Sequence, residues 1–179
     1  AALESRQAVE LLRMCLDAGY DRAQTLTAVN GMMLLAGQGE RFTTVDLFLL
    51  DLWTGKASLD KLGAAGSYLM QAEGLSLLGG DALPLGILEN VESGEKLMQL
   101  HQGDTLILLS DGVEDAYENR QSMEETIRDA LTLETAQDAA NAILTGAQSG
   151  DTAPADDQTV LVLRLIRARV DAKIEEMYQ

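Results

Sequence analysis

Apolar residues recur at intervals of three and four along the start of the chain. Ala8, Leu11, Leu12, Cys15 and Leu16 share one face of a segment from Glu4 to Ala18, which predicts an amphipathic helix ended by Gly19. Asp21 is suited to N-cap a second helix, with Leu26, Val29, Met33 and Ala36 on one face and Gly37 and Gly39 closing it. Such helices leave an apolar face without a partner, so they are expected to lie flat against a sheet.

From Thr43 the period shortens to two. Val45, Leu47 and Leu49 alternate with Asp46, Phe48 and Leu50, and Trp53-Thr54-Gly55-Lys56 turns the chain into Ala57, Leu59, Lys61 and Leu62, a β-hairpin pattern. Gly63-Ala64-Ala65-Gly66 leads into a third strand, Ser67 to Gln71, with a polar tip ending at Glu73. Leu75 to Ile87, which holds Gly79-Gly80-Asp81 and Leu83-Pro84-Leu85-Gly86, is expected to be an irregular connection. Leu97 to Leu100 is expected to pair with Thr105 to Leu109 across His101-Gln102-Gly103-Asp104. Beyond Asp111 the helical period returns. Ser122 with Glu125, and Thr135 with Asp138, have capping-box spacing ahead of two helices that mirror the opening pair. Ser149 to Asp157 is a polar loop, Thr159 to Ile166 a final strand, and Val170, Ile174 and Met177 recur at helical spacing in the tail.

The 179 residues suit one domain with its own core. Apolar residues make up 46% and aromatics 4%, so that core is expected to be aliphatic, with the single cysteine, Cys15, as one more small buried hydrophobe. A net charge of −16 repels a phosphate backbone, which argues against nucleic acid, and favours divalent cations or a basic protein partner. No apolar run reaches the roughly 18–20 residues of a membrane span, so no membrane contact by this chain is expected.

The chemistry centres on Gly103 to Asp115. A buried strand, Thr105 to Leu109, stops abruptly at Ser110-Asp111-Gly112, which sets a carboxylate rigidly at a sheet end. A second acidic site, Asp156-Asp157-Gln158-Thr159, stands just before the last strand. If the two strands are antiparallel neighbours, Asp111 and Asp156 meet, and converging carboxylates need a cation, with oxygen ligation selecting magnesium, manganese or calcium over zinc. The plainer alternative is a turn or helix cap at Asp111 and a solvated acidic loop at Asp156. A Ser-His-Asp triad would have to be built on the one histidine, His101. The scarcity of Cys and His excludes zinc, and no glycine-rich phosphate loop follows a first strand.

The ordered set Thr-Val-Asp-Leu-Phe-Leu-Leu-Asp-Leu-Trp-Thr-Gly, Lys-Leu-Gly-Ala-Ala-Gly-Ser, Leu-Pro-Leu-Gly-Ile, Leu-Leu-Ser-Asp-Gly-Val and Asp-Asp-Gln-Thr-Val-Leu-Val-Leu resembles the phosphatase domain of the stage II sporulation protein E family, within the metal-dependent protein phosphatase 2C superfamily. The resemblance implies an α+β fold in α-β-β-α layers, an antiparallel β-sandwich flanked by helix pairs, over residues 1–167, with 168–179 a tail or short helix. It implies two Mn2+ or Mg2+ ions in the intact domain, with Asp111 and Asp156 as metal ligands that act catalytically through a metal-activated water. The implied substrate is a phosphorylated protein of the anti-anti-sigma factor type, and the implied role is sigma-factor control in sporulation. The resemblance also implies a cytoplasmic domain of a membrane-anchored parent.

Two departures qualify the resemblance. Gln158 stands where relatives carry an apolar residue. Relatives also carry an earlier Asp-Gly-Met-Gly type motif whose aspartate bridges both metals, whereas no Asp-Gly pair precedes Asp111 here. The chain is therefore expected to be N-terminally truncated, to bind metal weakly or not at all, and to be inactive by itself. Unpaired strand edges would invite a homodimer or domain swap. The rival reading is a catalytically inert protein-binding or regulatory module with a phosphatase fold. A phospho-accepting receiver domain would need a parallel sheet, which the hairpin at Trp53 opposes.

Overall fold

A computed structural model describes residues 2–37, 42–91, 94–149 and 156–166. Two helices, α1 (Ala2–Asp17) and α2 (Arg22–Gly37), open the chain. The Asp21 carboxylate accepts the Gln24 N–H at 2.8 Å, which is the expected N-cap. Strands β1 (Val45–Leu50) and β2 (Lys56–Leu62) follow as an antiparallel hairpin, and β2 pairs on its other side with β5 (Lys96–Gln99). The second sheet has the order β4-β3-β6-β7, formed by β3 (Ser67–Gln71), β4 (Gly74–Leu78), β6 (Thr105–Leu109) and β7 (Val160–Arg164). Between β6 and β7 lie α3 (Asp111–Glu114), α4 (Arg120–Ala130) and α5 (Ala136–Ala147).

The layers follow from which side chains each strand turns to each face. Val45, Leu47 and Leu49 pack with Leu12, Cys15, Leu26, Val29 and Met33 of the first helix pair. Phe48 and Leu50, on the opposite face of β1, join Ala57, Leu69 and Leu106 between the two sheets. Tyr68 and Ile107, on the outer face of the second sheet, pack against Met123, Ile127, Ala139 and Ile143 of α4 and α5. Each fully buried aliphatic side chain of this kind contributes roughly 1.5–3 kcal/mol. The result is the α-β-β-α sandwich expected from the sequence, with an aliphatic core.

Three local expectations are corrected. Residues 74–78 form strand β4, hairpinned to β3 with Leu69 opposite Ser76, rather than an irregular connection. The strand near Leu97 pairs with β2 and not with Thr105–Leu109, so residues 100–104 carry the chain from one sheet to the other. The cap of α4 is Asn119, whose side chain accepts the Ser122 N–H at 3.0 Å; Ser122 is already helical. Thr135 caps α5 as expected, accepting from Asp138 N–H at 3.0 Å while its hydroxyl donates to the Asp138 carboxylate at 2.7 Å. The polar loop through 150–155 and the tail beyond 166 lie outside the described residues.

Candidate metal centre

The two acidic motifs are brought to one end of the second sheet by the β6–β7 ladder. Leu109 lies opposite Val160, and the Ser110 N–H donates to Thr159 O at 3.0 Å, extending the pairing one residue past each strand. β7 is fixed from behind by Arg164, whose guanidinium donates to the carbonyls of Leu131, Leu133 and Glu134 at 3.2, 2.9 and 2.8 Å. Leu131 is the C-cap of α4, where a cation is favoured, and Leu133 and Glu134 lie in the connection that follows it.

At the end of β6 the chain turns into α3, and Ser110 stands at its N-cap position without capping it. Its hydroxyl instead donates to Asp157 O at 3.0 Å and accepts the Thr159 N–H at 2.9 Å. Gly112 then presses on the segment before β7: a β-carbon there would lie 2.5 Å from Asp157 O and 3.2 Å from Asp156 C and O. Only glycine permits that approach. Gln158 closes the contact from the far side, its Nε2 donating to Gly112 O at 3.0 Å. That acceptor fixes which end of the amide is nitrogen, and it leaves the buried Oε1 without a partner.

A third tie holds α3 to the neighbouring strand. The Glu114 carboxylate accepts the Gly66 N–H at 3.0 Å, just before β3 begins, and β3 is itself paired with β6 through Ser67 and Leu108. Ser110, Gly112, Glu114 and Gln158 therefore position the segments that carry Asp111 and Asp156. Sequence reasoning gave none of these contacts. A Ser placed immediately before Asp-Gly, and a Gln where an apolar residue was expected, were the available signals.

Asp111 and Asp156 are both exposed. Asp111 Oδ1 accepts the Gly112 N–H at 2.9 Å and Asp156 Oδ1 the Asp157 N–H at 2.7 Å, each from the next residue. Neither is in an ion pair among the described residues, so one oxygen of each carboxylate is uncommitted. Carboxylate oxygens of this kind suit a hard divalent cation rather than zinc. Among the described residues, however, no group of three or more His, Cys, Asp or Glu side chains is arranged to hold a metal. A cleft of about 950 Å³, lined in part by Asn30, Leu77, Pro84, Lys96 and Arg120, is lined by neither acid.

A family model described as stage II sporulation protein E (SpoIIE) matches residues 1–166. The chain belongs to the SpoIIE family. It is 29% identical to stage II sporulation protein E of Priestia megaterium over 113 residues, which is 63% of this chain and 19% of that protein. A structure of the PP2C phosphatase domain and a fragment of the regulatory domain of SpoIIE from Bacillus subtilis superposes with a TM-score of 0.79 at 26% identity, covering 91% of this chain and 50% of that one. The catalytic domain of the serine/threonine phosphatase PstP, solved with two manganese ions, superposes at 0.75 with 20% identity over 93% of this chain and 82% of that one, a likeness of fold. The fold of this SpoIIE-family chain is thus the PP2C phosphatase fold. It spans about a fifth of the length of the Priestia relative. Among the described residues no helix is long and apolar enough to cross a membrane.

Proposed function

We propose that this SpoIIE-family domain takes part in hydrolysing phosphoserine or phosphothreonine on a protein, with Asp111 and Asp156 as metal ligands and Mn2+ or Mg2+ as the ion. The observation that carries the reading is the β6–β7 pairing, which sets Ser-Asp-Gly against Asp-Asp-Gln-Thr with Gly112 packed on the backbone of Asp156 and Asp157. A divalent ion would supply charge neutralisation at the phosphoryl group and a water acidified for attack on phosphorus. The chain's own part is to hold its carboxylates at fixed positions. Ser110 and Gln158 lock the two acidic segments together, and Glu114 locks α3 to β3, so the backbone that carries the ligands is already set when an ion binds. Water adds to phosphorus, the seryl or threonyl oxygen leaves, and the products are inorganic phosphate and the free hydroxyl.

Two carboxylates hold a divalent ion weakly, and a binuclear site needs more acids than these described residues provide. We therefore expect the isolated chain to have little activity and the full-length protein to be active. Family likeness favours an anti-anti-sigma-type phosphoprotein as substrate, in sporulation sigma-factor control, within a cytoplasmic domain of a membrane-anchored parent. A second reading, an inert binding module, is favoured by one observation, the absence of a third metal-binding side chain among the described residues. Manganese-dependent turnover of a phosphoserine protein by the full-length enzyme, compared with this chain, separates them. Activity in the full-length protein supports the phosphatase. No turnover and no metal binding in either supports the module.

A further inference from the structure

A buried ion pair adds little stability over a well-packed apolar pair, so where the Lys61–Asp46 pair sits is more informative than its strength. Lys61 lies one residue from the end of β2, is 1% exposed, and donates from Nζ to the two Asp46 oxygens of β1 at 2.7 and 2.9 Å. Its third donor crosses to the other sheet. Nζ donates to Oγ of Ser67, the first residue of β3, at 2.9 Å, and the Ser67 hydroxyl also reaches Asp46 Oδ2 at 3.3 Å. These bonds close the base of the turn through residues 63–66, which carries the chain from the first sheet to the second. The turn is gripped from outside as well. The Gly63 N–H donates to Ala82 O at 2.8 Å, and a β-carbon on Gly63 would lie 2.3 Å from Pro84 Cγ. A β-carbon on Gly80 would lie 2.9 Å from Lys61 Cβ, so the loop after β4 packs on the lysine stem.

This turn leads directly to the candidate metal centre. Its last residue, Gly66, donates its N–H to the Glu114 carboxylate at 3.0 Å, and Leu77 packs so closely that a β-carbon on Gly66 would lie 3.0 Å from Leu77 Cδ1. Glu114 ends α3, the four-residue helix that Asp111 begins. Ser67 stands opposite Leu108 in the β3–β6 ladder, so the buried ammonium and Asp111 lie at the same end of the sandwich. We infer that Lys61 is a positioning residue of the metal centre. It fixes the crossing turn, the turn holds Glu114 through the Gly66 N–H, and Glu114 sets α3 and with it the backbone of Asp111. Supporting residues of this kind hold a ligand to its productive geometry without touching the ion. The inference rests on the phosphatase reading proposed above. It extends the support of that site from the second sheet across to β1 and β2.

The test must separate positioning from stability, so the pair is replaced together, as Lys61→Met with Asp46→Leu, which strands no charge. In the full-length protein the urea midpoint of this double variant is expected to stay close to wild type. Its manganese affinity, measured by calorimetry, is expected to fall about 10-fold, the low end of what residues behind a ligand contribute. Ser67→Ala keeps the ion pair and removes only the bond across the turn; it is expected to lose about 3-fold, the lower worth of one hydrogen bond, and it decides the matter even if the double variant fails to fold. Without manganese, hydrogen exchange in the peptide covering Gly66 is expected to quicken in both. Glu114→Ala should weaken binding too, and adding it to the double variant should cost less than the two losses multiplied, because both act through one contact. Wild-type affinity in Ser67→Ala or in the folded double variant, unchanged exchange at Gly66, or fully multiplicative losses with Glu114→Ala would each overturn the inference and leave the phosphatase reading standing. A wild-type protein that neither binds manganese nor turns over a phosphoserine protein would remove both.

Discussion

Removing the Lys61 ammonium from between the sheets should cost more than any surface change. Lys61 is 1% exposed, and its Nζ donates to Asp46 Oδ1 at 2.7 Å, Asp46 Oδ2 at 2.9 Å and Ser67 Oγ at 2.9 Å. All three of its donors are used, across β1, β2 and β3. Lys61→Met strands the Asp46 carboxylate, and breaking one partner out of a buried pair costs about 3–5 kcal/mol. Asp46 keeps slight solvent access, and the Ser67 hydroxyl still reaches its Oδ2 at 3.3 Å, which places the expectation near the lower end. About 3 kcal/mol corresponds to a fall in Tm of roughly 6–12 °C for a chain of this size. Replacing both partners, as Lys61→Met with Asp46→Leu, should recover all but about 1 kcal/mol, because an apolar pair leaves no stranded charge. Urea melts of wild type, both single variants and the double variant measure the coupling, with the m-value expected to stay constant. A loss below about 1 kcal/mol in Lys61→Met, or a double variant less stable than that single one, would refute the reasoning.

Two further expectations follow from the same contacts. Burial raises the hydroxyl pKa of Tyr68, aided by the nearby carboxylates of Glu124 and Glu114, and burial likewise raises that of Tyr117, which donates to Ile143 O at 2.8 Å. A raised folded pKa gives stability that is complete below the ordinary value of 10.0 and is lost as pH climbs through the folded values; an ultraviolet titration should show these two of the four tyrosines ionising late, together with unfolding, and reversible early ionisation of all four would contradict this. Gly112→Ala puts a methyl group 2.5 Å from Asp157 O, so it should cost about 1–3 kcal/mol and weaken manganese binding to the full-length protein, and calorimetry showing unchanged binding would mean the contact does not set the site.

Much of the architecture was legible because its signals are local. Helical spacing in α1 and α2, the two-residue period of β1, the Asp21 and Thr135 caps and the small-residue turn before β3 each depend on a few adjacent residues. What was misread depended on distant partners. The turn at His101–Asp104 looks like a hairpin, and the Asp104 carboxylate does accept the His101 N–H at 2.8 Å. Yet the Gly103 N–H donates to Leu165 O, and the Leu165 N–H to Asp104 O, so the chain leaving the turn is claimed by the segment following β7 rather than by β5. Strand β4 was hidden by Gly74 and the glycines after Leu78, although its Leu75 and Leu77 pack on the α4–α5 core. At the site, the sequence offered the paired acids, while Ser110, Glu114 and Gln158 became visible as positioning residues only through their hydrogen bonds to residues dozens of positions away.

The most direct test of the central claim is manganese binding and phosphoserine-protein turnover by the full-length protein carrying Asp111→Asn or Asp156→Asn. Each variant is expected to fold with unchanged stability and to lose turnover and metal affinity by more than the 10–100-fold typical of changes beyond the ligands themselves. Near-normal turnover and affinity in either variant would remove that residue from the metal centre.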